Sequence, residues 1–228
     1  MDAVSRRMLM GGAAAASLLA LPGCATLGDL PQFSLVDAIR RLLGLSSSRA
    51  FDRLMAPGGF WDNSLARLDL PAVFGDRGNL IASLLASTVF RDALRREFNK
   101  VAERGAAVAA PLVADAVRNV SITDALALVR GGPQSATDFL RSEITVNIAT
   151  AMVPALGDAL RLSQEPAVGR AIAALTGVDV GGVARSLSND VNNAIWGQIG
   201  REEADIRANP RATGDPLLIG VFGGLNRL

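Results

Sequence analysis

From Ser34 onward, apolar side chains recur every three or four positions, the period of a helix with one buried face. Leu35, Ile39, Leu42 and Leu43, then Phe51, Leu54 and Met55 beyond a Ser46-Ser47-Ser48 interruption, predict one long or two short helices that Pro57-Gly58-Gly59 ends. Residues 60–78 contain Pro71, Gly75 and Gly78, and Leu65, Leu68 and Leu70 keep no helical period, so an extended, partly buried crossover is expected. The clearest helix is predicted from Thr88 to Asn119. Phe90, Leu94, Phe98, Val101, Gly105, Val108, Leu112, Ala116 and Val120 form its core face, and Arg91, Asp92, Arg95, Arg96, Asn99, Lys100, Glu103 and Arg104 its wet one. Pro111 should kink or divide it.

Ser121 is expected to cap a short helix that runs to Arg130 and stops at Gly131-Gly132-Pro133. Leu140, Ile144, Ile148, Met152, Leu156 and Leu160 predict a further helix over Gln134–Leu162, with Pro154 a second kink. Pro166–Leu175 reads as a short helix and Thr176–Gly182 as a turn. Val183, Leu187, Val191, Ile195, Ile199 and Ile206 then place a long helix over Val183–Ala208, stopped by Asn209-Pro210. Its Arg201–Asp205 and Glu203–Arg207 are i,i+4 pairs. Leu217, Leu218, Ile219, Val221 and Phe222 should dock the tail. Strict alternation is missing throughout, so the predicted class is all-α: a single irregular bundle with Pro-kinked helices and one extended crossover.

The first 23 residues follow a different logic. Arg6-Arg7 precede an apolar stretch ending at Leu21, which is shorter than the ~20 residues that span a bilayer as a helix. The paired arginines resemble a twin-arginine export signal, and Leu21-Pro22-Gly23-Cys24 resembles a bacterial lipobox. The expected organisation is a lipoprotein-type signal peptide over 1–23, a tether over 24–33 and a helical domain over 34–228. Cys24 is the expected lipid-attachment residue and the expected link to the membrane. Two acyl chains bury on the order of 30 methylenes at ~0.8 kcal/mol each, which makes attachment effectively permanent. Ala25 in place of Asp resembles lipoproteins sent to the outer membrane, so the expected location is the periplasmic side of the bacterial envelope.

Composition narrows the chemistry. The chain has no histidine and one cysteine, which removes His-based acid–base catalysis, Ser-His-Asp and Cys-His constellations and the usual zinc sites. Lipidation of Cys24 would also leave the domain without a thiol. Loss of residues 1–23 takes away Asp2, Arg6 and Arg7 and leaves a formally neutral domain, so a nucleic-acid partner is not expected. Asp138 with Glu143, the group Glu202, Glu203 and Asp205, and Asp124 are the candidate carboxylates for glycoside-type hydrolysis. Nearly all have an arginine within a turn, the pattern of a solvated helix surface. Lys100, the only lysine, falls on a polar face. Asp62, Asn63 and Asp69 lack the EF-hand pattern, and no metal or other cofactor is expected. Gly58-Gly59, Gly131-Gly132 and Gly181-Gly182 lack P-loop spacing and read as helix stops. Phe60, Trp61 and Trp196 read as core or interface anchors.

Several stretches resemble, in order, the bacterial domain-of-unknown-function family numbered 4197. They are Ser121-Ile122-Thr123-Asp124-Ala125, Gly131-Gly132, Ala136-Thr137, Phe139-Leu140-Arg141, Glu202-Glu203, Ile206-Arg207, Asn209-Pro210-Arg211, Leu217-Leu218 and Val221-Phe222-Gly223. Phe98-Asn99 with Ala102-Glu103 is similar to its central helix. Asn209, Thr213-Gly214 and Ile219-Gly220 depart from the family pattern. The resemblance implies an exported helical protein and transfers no catalytic residue. The expected role is therefore binding at the envelope, to a protein partner or a hydrophobic ligand, with a carboxylate-dependent hydrolase of an envelope polymer as the alternative.

Overall fold

A computed structural model describes residues 32–71, 79–174 and 180–225. The expected export signal with Arg6 and Arg7, the expected lipid-attachment Cys24, the tether up to residue 31, crossover residues 72–78, residue 175 of the expected short helix and residues 176–179 of the expected turn lie outside the described residues. Every regular element among those described is helical: α1 (Gln32–Leu54), α2 (Asn79–Ala86), α3 (Thr88–Asn119), α4 (Ala125–Arg130), α5 (Ser135–Glu143), α6 (Ile148–Leu162), α7 (Pro166–Ala174), α8 (Val180–Ala208) and α9 (Pro216–Leu225), with a 3-10 turn at Pro210–Thr213. The protein is an irregular all-α bundle.

Four long helices form a ring in which α1 packs on α8, α8 on α6, α6 on α3 and α3 back on α1. Their apolar stripes meet inside it: Ile39, Leu42 and Leu54 of α1, Leu94 and Phe98 of α3, Met152 and Leu156 of α6, and Leu187, Val191 and Ile195 of α8 are all inaccessible to solvent. Gly105 sets the approach of α3, since a Cβ there would stand 3.0 Å from Leu156 Cδ2 and 3.3 Å from Val191 Cγ1. Helices α4, α5 and α9 attach to α1, and α7 lies on α2 and α3.

α1 is one helix. Ser46 donates its hydroxyl to the Leu42 carbonyl at 2.8 Å, so the buried serine is satisfied within the helix and does not break it. At its end Gly58 adopts φ +80°, and a Cβ on Gly59 would lie 2.1 Å from the Arg53 carbonyl oxygen, so the chain can fold back only with glycine there. The following crossover is partly wound: Asp62 N donates to the Gly58 carbonyl and Arg67 N to that of Asn63, and the chain leaves this turn conformation at residues 67–71. Phe60, Ala66 and Leu68 are its buried contacts.

α3 runs undivided through Pro111, and α6 through Pro154. Pro111 and Ala107, whose carbonyl loses its donor, both face solvent, as do Pro154 and Thr150, so water can satisfy the freed oxygens. Beyond Gly105 the buried stripe of α3 proceeds through Ala109, Val113 and Val117 instead of Val108, Leu112 and Ala116, which stay half-buried. Four-residue steps drift around a helix of 3.6 residues per turn, and small alanines suffice where α3 lies close to its neighbours.

Three expected boundaries move. Asp124, rather than Ser121, caps α4 by accepting from Ala127 N at 2.9 Å. The helix expected over Gln134–Leu162 is two, because Ile144 turns extended (ψ 117°) and Asn147 opens α6 by accepting from Thr150 N at 2.9 Å. Gly181 and Gly182 are not a stop but belong to the first turn of α8. The tail docks as expected: Leu218, Val221 and Phe222 of α9 are buried, and Arg41 of α1 meets Asp215 at 2.8 Å.

Candidate functional site

Two polar assemblies involve the α8 acids, and they differ in kind. The first is sealed. Glu203, expected on a solvated surface, has no solvent exposure at all. One carboxylate oxygen accepts from Ala136 N at 3.0 Å and the other from Thr137 N at 2.7 Å and from the Thr137 hydroxyl at 2.6 Å. These are orphan donors of the first turn of α5, whose own Gln134 makes no side-chain cap, so α8 caps α5 from outside it. Arg207 completes the device. Its Nε donates to Glu203 at 2.8 Å, and its terminal nitrogens donate to the Leu128 and Val129 carbonyls at the end of α4 and to the Ser135 hydroxyl. The guanidinium also lies 4.8 Å from the centre of the Phe222 ring of α9. An acid at a helix start and a base at a helix end each oppose the local dipole. The node therefore joins α4, α5, α8 and α9, and with every oxygen engaged by the fold it is architectural.

The second assembly opens to solvent. A groove of about 770 Å³ lies between the end of α1, the wound part of the crossover and α8, lined by Arg53, Asp62, Asn63, Gln198, Arg201, Glu202 and Asp205 among others. Its floor is buried yet polar: Gln198 is 4% and Glu202 3% exposed. Asn63 Nδ2 donates to Gln198 Oε1 at 2.9 Å, and Gln198 Nε2 donates to Glu202 Oε1 at 3.0 Å. Arg53 Nε reaches the same Oε1 at 2.8 Å, so these bonds converge on one oxygen of the carboxylate. On the wall, Arg201 pairs with Asp205 at 3.3 Å. Asp62 sits against Gly58, whose N–H donates to Glu103 at 2.8 Å. Burial pushes the Glu103 carboxyl above its usual range, and the nearby Asp62 charge pushes the same way against the Gly58 hydrogen bond and Lys100.

The other candidates are dispersed. Glu143 lines a smaller depression of about 340 Å³ with Leu112, Ile144 and Val146, and Asp138 is exposed on α5 outside it. Asp69 is drawn to Arg95 at 2.7 Å, away from the groove that Asp62 and Asn63 line. Among the described residues no group of three acids could hold a metal ion. Lys100 is a surface residue 3.8 Å from Glu97. Phe60 and Trp196 are core side chains, and the Trp61 ring carries both Arg67 and Arg96 guanidinia within 5.2 Å of its centre. Asn99, expected on the wet face of α3, is fully buried, accepts from Leu68 N at 2.8 Å and donates to the Leu68 carbonyl at 3.0 Å, pinning the crossover to α3. Gln198 and Arg53 carried no sequence signal, since a glutamine and an arginine on polar helix faces are the commonest of residues.

The architecture defines a class: an all-α bundle whose short helices are held by a buried carboxylate–guanidinium node beside an open polar groove. The chain belongs to the family described as "Protein of unknown function (DUF4197)", which matches residues 29–223. No curated protein and no solved structure matches it.

Proposed function

We propose that the protein is exported, carries lipid on Cys24 and works at the periplasmic face of the outer membrane by binding another protein. The observation that carries this reading is the placement of the only cysteine directly after Leu21-Pro22-Gly23, behind Arg6-Arg7 and a short apolar stretch. Arg6 and Arg7 support the twin-arginine route, and Ala25 the outer membrane. Among the described residues no helix is long and apolar enough to cross a membrane, which is in keeping with attachment through lipid.

A protein partner suits the groove better than an acyl chain, because its floor and walls present carboxylates, guanidinia and amides. Hydrolysis of an envelope polymer would have to use Asp62, Glu202 and Asp205, two of which are already engaged by Arg53, Gln198 and Arg201. Binding is the reading carried forward. Labelling cells with a clickable palmitate analogue tests it: the label is expected on the wild type in the outer-membrane fraction and not on Cys24→Ser. Unlabelled protein in the cytosol with its leader intact would sink the proposal.

A further inference from the structure

We infer that the groove between α1, the crossover and α8 is a docking site for an extended protein segment that presents a basic side chain. The inference rests on the binding reading above and names the partner's chemistry. Three features of the groove converge on it. Its charge is unbalanced, because Asp62, Glu202 and Asp205 face only Arg53 and Arg201 across it. Arg201 pairs with Asp205 and Arg53 with Glu202, which leaves the Asp62 carboxylate as the excess charge.

The second feature is the floor. Glu202 is nearly inaccessible yet lines the groove, and the bonds from Arg53 and Gln198 both fall on its Oε1, so neither engages Oε2. A buried carboxylate requires strong donors, and an ammonium or guanidinium group is the strongest a protein partner offers. The third is shape and polarity. The groove is an open trough rather than a closed cavity, and the Asn63 and Gln198 side-chain amides along it each retain one N–H beyond the bonds they make to one another and to Glu202, a donor that suits a peptide carbonyl. A simple amine would use the acids and ignore the amides. A segment with a lysine or arginine uses both.

The test uses the full chain in detergent and two capped pentapeptides, acetyl-Gly-Ser-Lys-Ser-Gly-amide and its norleucine counterpart, with methylammonium as a third probe. The lysine peptide is expected to shift the NMR signals of the Gly58, Asp62 and Asn63 backbone amides and of the Gln198 side-chain amide. Its apparent affinity should fall at least fivefold in Asp62→Asn, and again at about 0.5 M salt. Asp62 is exposed and Asn keeps its backbone bond to Gly58, so the variant keeps its fold; Glu202→Gln is the second variant and is expected to weaken binding in the same way. Equal shifts with the norleucine peptide, shifts elsewhere on the bundle, or none at about 10 mM would overturn the inference. Methylammonium binding as well as the lysine peptide would overturn the segment as occupant. None of these readings depends on Cys24, so a failed lipid label and a failed groove remain separate results.

Discussion

Glu203 and Arg207 show how much a single pair can hold when the groups it satisfies belong to other helices. Truncating Glu203 to alanine would strand the Arg207 guanidinium, whose side chain is only 10% exposed, and the Ala136 and Thr137 amides. Removal of one partner of a buried pair costs about 3–5 kcal/mol, so Glu203→Ala is expected to lower urea-denaturation stability by that order. Arg207→Lys keeps the charge and loses the fork that reaches Leu128, Val129, Ser135 and Glu203 together, so it should still cost about 1–3 kcal/mol. A wild-type denaturation midpoint for Arg207→Lys would show that charge alone suffices. Glu103 gives the opposite case. Its folded pKa is raised, so its stability contribution is fully present below the ordinary carboxylate range and is lost as pH rises through the raised value. Glu103→Gln retains an acceptor for Gly58 N and removes the half-buried charge. Its Tm is expected to match wild type near pH 3 and to exceed it near pH 7; equal Tm values at both would refute the role of burial. Of these residues the sequence discloses only the i,i+4 spacing of Glu203 and Arg207. That spacing is the same for a solvated pair and a sealed one, because what seals it is the α4–α5 corner arriving from more than 60 residues earlier in the chain.

Helices were legible where one face stayed buried from end to end. α3 was, from Thr88 to Asn119, as was the close of α8 at Ala208. The break between α5 and α6 was hidden by its own apolar residue: Ile144 continues the three-and-four spacing yet stands in extended conformation outside both helices. β-branched Thr145 and Val146 followed by Asn147, a good cap, mark the break, but the unbroken apolar spacing across them masks it. Pro111 lies inside α3 without dividing it, since a helix tolerates proline when the orphaned carbonyl is wet. Replacement tests that account. Pro111→Ala restores an N–H donor for the Ala107 carbonyl on the exposed side of α3 and should stabilise the protein by up to about 3 kcal/mol. Unchanged or lower stability in urea would mean that neighbouring helices, and not α3 alone, hold a bend at that position.

For the molecule as a whole, the packing and the proposed anchor make separate demands on the chain. The large apolar side chains of α1, α3, α6 and α8 are mostly buried, Val89 and Leu162 being exposed, and among the described residues no helix is long and apolar enough to cross a bilayer. The fold class and α1, α3 and α8 of the ring could be read from spacing, and α6 only as the second half of a longer helix, whereas the groove could not, because its parts come from the end of α1, the crossover and α8. If lipid on Cys24 is the only hold on the membrane, then binding and attachment are separable by a single substitution. Cys24→Ser, exported by the same leader, is expected to appear in the soluble periplasmic fraction with the far-ultraviolet circular dichroism and Tm of the wild-type bundle. Two acyl chains would give anchoring of effectively irreversible strength, so the shift between fractions should be nearly complete rather than partial. A variant that stayed with the membrane after a high-salt wash would show that a surface of the bundle itself holds lipid or a membrane protein, and the tether would then be an aid to an attachment made by the helices.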